Sequence, residues 1–121
     1  MKINVYHVET NDYGRIISPN IAPHGHIELP VFDAEKCWDL CNWFHWSQEK
    51  PKNVYSDIDS CNHGLIVYNP QTKEYWLALS EGWINGNAAK IRNYVNRNWS
   101  KTFWNKDEID EPPELNGERI Y

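Results

Sequence analysis

The chain has 121 residues, a formal net charge of -5, 40% hydrophobic residues, and seven Trp and seven Tyr against a single Met. That length holds one hydrophobic core without a disulfide or metal, and the core must draw much of its area from large rings. No run approaches the roughly 18 apolar residues of a membrane span, no long apolar stretch follows Lys2, and three cysteines are an odd number, so the expectation is a cytoplasmic protein with reduced thiols and no membrane partner.

The charge is unevenly placed. From Asp107 to Tyr121 six acids face one base, whereas no acid stands between Glu81 and Asp107, where Lys90, Arg92, Arg97, Lys101 and Lys106 lie. A neutral body, a basic segment and an acidic tail argue against a body-wide acidic surface of the kind that mimics DNA. The tail could fold back on the basic helix, dock on a basic partner, or stay solvated. Abundant Asn and scarce Leu suit an accessory gene of an AT-rich bacterium or phage.

Lys2 to Val8 alternates as a strand. The local pattern Val5-Tyr6-His7 resembles the first strand of ADP-ribosyltransferase-like enzymes, where a Tyr-His pair precedes a small hydroxyl residue. Here Val8-Glu9 follows, no later tyrosine strand or catalytic glutamate is matched, and no family is assigned. Glu9 to His26, with Asn11-Asp12-Tyr13-Gly14, Ser18-Pro19-Asn20 and Pro23-His24-Gly25, is expected to be a long loop with a short strand at Arg15 to Ile17. Ile27 to Phe32 is a second strand candidate, limited by Pro30 to an edge or to a bend just before the helix.

Asp33 caps a helix expected to reach Gln48, with Ala34, Cys37, Trp38, Cys41, Phe44 and His45 on its inward stripe. Trp43 and Trp46 fall off that stripe and need cover from a loop or an interface. Glu49 to Asn62 is expected to be a loop. His63 to Asn69 and Glu74 to Ser80 form a hairpin through Asn69-Pro70-Gln71-Thr72-Lys73. Glu81 to Gly86 is expected to break the strand as a glycine loop, after which Asn87 caps a helix from Ala88 to Lys101. Periodicity puts Ala88, Ile91, Val95, Trp99 and Thr102 on its apolar stripe, and Lys90, Arg97 and Lys101 opposite, flanked by Asn93 and Tyr94.

The expected fold is therefore α+β: a small antiparallel sheet of about four strands in the order ββαββα, packed by two helices. Residues 1–106 would form a single domain. Residues 107–121 would be an acidic tail, partly ordered through the turn signal Asn116-Gly117.

The ligand candidate is the loop and following helix: Trp83, Asn85, Gly86, Asn87, Lys90, Arg97 and Lys101. A strand, glycine loop and helix N-terminus can hold a phosphate or carboxylate, and Trp83 could stack on a base. The spacing matches neither GxxxxGK[ST] nor GxGxxG. Cations near Tyr94, Trp99, Phe103 and Trp104 resemble a single-strand nucleic-acid surface, which the overall acidity opposes.

Cys37, Cys41 and His45, Cys61 and His63, and His24 and His26 have ligand-like spacings, but free cysteines most often pack in cores, and neither metal nor cofactor is expected. Cys61 with His63, oriented by Asp57 or Asp59, is the least poor nucleophile and base pair. The leading expectation is a small non-enzymatic inhibitor or accessory factor, meeting a protein partner or a second copy through Trp43, Trp46 and Trp104. The alternative is a binder of a nucleotide-like or other anionic ligand, and the third a Cys/His enzyme.

Overall fold

Leu65-Ile66-Val67 is apolar at successive positions, so a strand made of it must be covered on both faces. A computed structural model describes residues 1–11, 14–42, 50–57 and 63–104, the side chains of 100–104 excepted, and it meets that demand. Six antiparallel strands, β1 (Lys2–Thr10), β2 (Ile16–Glu28), β3 (Val54–Ser56), β4 (Leu65–Asn69), β5 (Glu74–Leu79) and β6 (Gly82–Gly86), stand in the order β3-β2-β1-β4-β5-β6. Helix α1 (Ala34–Leu40) packs on one face and α2 (Ala88–Trp104) on the other.

Two cores result. Ile3, Val5, Leu65 and Val67 meet Cys37 and Cys41 of α1 on the first face. Val8, Ile66, Leu77 and Ile84 meet Ile91, Tyr94 and Val95 of α2 on the second. Each fully buried aliphatic side chain contributes roughly 1.5–3 kcal/mol by leaving water. None of the helices among the described residues is long and apolar enough to cross a membrane.

The sheet corrects several expectations. Among the described residues it has six strands rather than about four, in the chain order ββαββββα. The stretch expected as a loop from Glu9 to His26 is mostly β2, a strand of 13 residues. Its turn signals became bulges. Asn4 pairs with His26 and Tyr6 with Pro23, then Val8 with Ile21 and Thr10 with Ile16, so β2 carries extra residues around His24-Gly25 and around Ser18-Pro19-Asn20. Prolines and glycines are tolerated in a ladder at such points.

With β3 beyond it, β2 is not an edge and ends at Glu28, short of the expected Phe32; Pro30 instead takes the other expected place, a bend just before α1. β3 itself comes from the segment read as loop, because three residues are too few for a periodic signal. Gly82 to Gly86 is a strand and not a glycine loop: Gly82 turns at φ 134 after Ser80-Glu81, and Ile84 then enters the second core.

Other expectations match. The β4–β5 hairpin closes through Lys73 N–H to the Asn69 carbonyl at 2.8 Å, with Gln71 N–H donating to Asn69 Oδ1 at 3.0 Å. Asp33 caps α1, accepting from Lys36 N–H at 3.1 Å, and Asn87 accepts from Lys90 N–H at 2.8 Å at the start of α2. Against expectation, α1 does not run on to Gln48 but ends at Leu40 with Cys41 as its C-cap; residues 43–49, with Phe44 and His45, lie outside the described residues, as does the acidic tail.

Gly64 joins three strands. Its N–H donates to the Ala78 carbonyl at 2.8 Å, its carbonyl accepts from Val8 N–H at 2.9 Å, and its φ is 92. A Cβ there would collide with the Val8 carbonyl oxygen. Gly64→Ala should therefore destabilise the protein by about 3 kcal/mol. Urea unfolding measures this, and an unchanged midpoint would contradict the crossing.

Candidate functional site

Helix α2 is amphipathic in a way that periodicity alone placed slightly wrongly. Ile91, Tyr94, Val95 and Asn98 are buried, so the buried arc is centred between Tyr94 and Val95 and Tyr94 belongs to the core, not to the cationic side. Asn98 is accommodated by donating its side-chain N–H to the Tyr94 carbonyl at 2.7 Å, one turn back. The spacing of Lys90, Arg97 and Lys101 then puts them along one flank of that arc. Arg92 and Asn96, both exposed and one turn apart, lie on the other.

The residues predicted as one ligand site are divided by the sheet. Trp83 packs into the first core, edge-on to Trp76 with ring centroids 6.2 Å apart, and donates its indole N–H to Glu35 Oε1 at 3.3 Å. Asn85 pairs with Trp76 across the ladder and so shares that face. Asn85 Oδ1 and Trp76 Nε1 are both buried without a hydrogen-bond partner among the described residues. Lys90 and Arg97 ride on α2, over the opposite face, with the stem of Lys90 lying across Gly86. Asn87 caps the helix, as the side-chain oxygen of such a residue does. Trp43 and Trp46 lie outside the described residues, and Trp104 ends α2 with its side chain, like that of Lys101, undescribed.

The α2 face also holds a groove that periodicity did not reveal. The Ser18-Pro19-Asn20 bulge lifts part of β2 toward the helix, leaving a cavity of about 330 Å³ over Tyr6, Ile66 and Tyr75. Tyr75 lies between Tyr6 and Tyr68, at ring-centroid distances of 5.8 and 4.6 Å. Burial pushes its phenol above the ordinary value, and the hydrogen bond to Tyr6 adds to the effect, so Tyr75 stays a neutral donor.

On the first face the structure joins His24 and Asp57, which sequence reasoning had assigned to separate candidate groups, and adds His7. His24 Nδ1–H donates to Asp57 Oδ1 at 2.7 Å, the His7 ring stands edge-on to His24 at 6.2 Å, and His7 Nε2 is 3.2 Å from the His63 carbonyl. The signal was present in His24-Gly25-His26, but the Asp57 partner is 33 residues away. A carboxylate holding an imidazole in one orientation is half of a general-base pair. Cys61, the expected nucleophile, lies outside the described residues.

Cys37 and Cys41 are buried free thiols in the first core. Burial pushes the Cys37 thiol up to about 12, with the Asp33 charge adding to it, so it is protonated at neutral pH and presents no thiolate to a metal or an electrophile. Among the described residues no three His, Cys, Asp or Glu side chains stand close enough to share a metal ion.

Two outcomes follow. Native protein at neutral pH should react with a colorimetric thiol reagent at Cys37 only as fast as it unfolds, and rapid modification of Cys37 would contradict the burial. The His24 hydrogen bond holds the Asp57 carboxyl below its ordinary value of 3.8, so its stabilising contribution is present above that value and is lost as pH falls through the lower folded value. Thermal unfolding of Asp57→Asn should accordingly lose part of the wild-type decline below about pH 4. The effect should be small, since the Asp57 side chain is 78% exposed. No family model, curated protein or solved structure matches this chain.

Proposed function

We propose that this is a small non-enzymatic binding domain of the cytoplasm, an inhibitor or accessory factor that docks an acidic patch of a protein partner along the Lys90, Arg97 and Lys101 flank of α2. The supporting observation is the charge pattern: Arg97 is exposed and one face of α2 is buried, while the sequence carries no acid between Glu81 and Asp107. Positive charge on a rigid helix raises association rates and selects partners of opposite sign. Trp43, Trp46 and Trp104 would supply the apolar anchors that such docking needs, on the sequence grounds given above. The unbridged thiols Cys37 and Cys41, one helical turn apart, accord with a reducing compartment.

Affinity capture from source-cell extract with quantitative mass spectrometry tests the reading. Wild-type protein should retain a small set of acidic proteins in a salt-sensitive way, and Arg97→Glu with Lys101→Glu should lose them while Arg92→Gln keeps them. Identical capture by all three, or capture of nucleic acid in place of protein, would count against it.

A further inference from the structure

The groove between β2 and α2 lies on the far side of the buried arc from the docking flank, and it has its own chemistry. We propose that it binds a small, free aromatic carboxylate, with the ring against Tyr6 and Tyr75 and the carboxylate at Arg92.

Four observations on the same cavity support the assignment. Its volume of about 330 Å³ falls at the low end of small-molecule sites, enough for one ring system and a short side chain. Its floor is Tyr6, Ile66 and Tyr75, and its walls are apolar: Pro19, Ile21 and Pro23 from the bulged strand, Ile91 from the helix. Flat rings suit such a slot, because tyrosine faces favour offset or edge-on contact with another ring. Among the described residues the lining holds no Asp, Glu or Lys; Arg92, exposed to solvent, is its full charge, and Asn20 and Asn96 also line it.

Those polar groups choose the anion. One guanidinium grips one carboxylate through two parallel N–H bonds, whereas a phosphate dianion calls for further cations, and among the described lining residues Arg92 is the one charged side chain. Tyr75 is already hydrogen-bonded to Tyr6 and its phenol is held above the ordinary value by burial, so it places no negative charge against the ligand.

The groove also has a structural origin that a plain sheet would lack. Between the Val8–Ile21 and Thr10–Ile16 pairs β2 carries more residues than β1, and the excess segment, with Asn20 N–H bonded to Ser18 Oγ at 3.2 Å, stands up as the outer wall. Bulges are over-represented beside functional sites because they lift backbone and side chains out of the sheet plane.

The test uses the full chain labelled with 3-fluorotyrosine, titrated with indole-3-acetate and, as a matched neutral probe, indole-3-acetamide. The acid should bind with displacement of the Tyr6 and Tyr75 fluorine resonances, assigned by Tyr→Phe variants, and the amide should bind about tenfold or more weakly. Arg92→Gln, an exposed change, should abolish the preference for the acid. Ala88, at the start of α2, also lines the groove, so Ala88→Phe should fill it and remove binding of both probes, with circular dichroism unchanged. Equal affinity for acid and amide, binding without movement of Tyr6 or Tyr75, or no binding of either probe at millimolar concentration would overturn the assignment. So would binding of a peptide ending in an aromatic residue when the free acid fails.

Discussion

The rest of the structure depends on β4 and β5 being apolar on both faces. Leu65, Val67 and Ala78 point one way, and Ile66 and Leu77 the other, so burying only one face would leave several large side chains in water. Antiparallel sheets often keep one face wet; this one cannot. The chain therefore needs a layer on each side, and α1 and α2 are the two amphipathic segments that supply them.

That requirement explains the division of labour between the two faces. On the α1 side the cover is aromatic, with Phe32, Trp38, Trp76 and Trp83 packed around buried Cys37 and Cys41, and the Asp33 carboxylate helps to keep the Cys37 thiol protonated. On the α2 side a longer helix crosses toward β2, and the bulged segment of β2 rises to meet it. A helix laid over a bulged strand does not seat evenly, since ridges on the helix have no regular groove to enter. The cavity over Tyr6 and Tyr75 is the space left by that mismatch. The groove proposed to bind a ligand therefore lies where packing is irregular, beside an evenly packed centre that holds its walls in place.

The edges are managed differently. β3 is three residues long, too short to template a further strand, and it is fastened by His26 stacked on Tyr55 at 4.8 Å and by His24 bonded to Asp57. Its backbone can approach β2 because Gly25, at φ 105, has no Cβ to strike the Tyr55 carbonyl. At the other edge β6 runs directly into the Asn87 cap, so α2 starts where the sheet stops.

By itself the sequence determined the α+β class, the β4–β5 hairpin, both helix caps and the apolar stripe through Ile91 and Val95. Each of these depends on neighbours in the chain: alternation, an Asx turn, or a side-chain oxygen three residues from the N–H it accepts. Tertiary structure decided whatever depends on distant residues. Ser18-Pro19-Asn20 reads locally as a turn and becomes a bulge only because Tyr6 and Val8 on β1 hold the ladder on both sides of the interruption. Gly82-Trp83-Ile84 reads as a loop, yet Leu77 and the core beyond it draw Ile84 into a sixth strand. For the candidate sites, the charge of Lys90 and Arg97 was legible in the sequence, but the separation of Trp83 from them and the meeting of Tyr6, Tyr75 and Arg92 were not. A residue's face is set by the strand or helix it belongs to, and what that face meets is set by packing across the sheet.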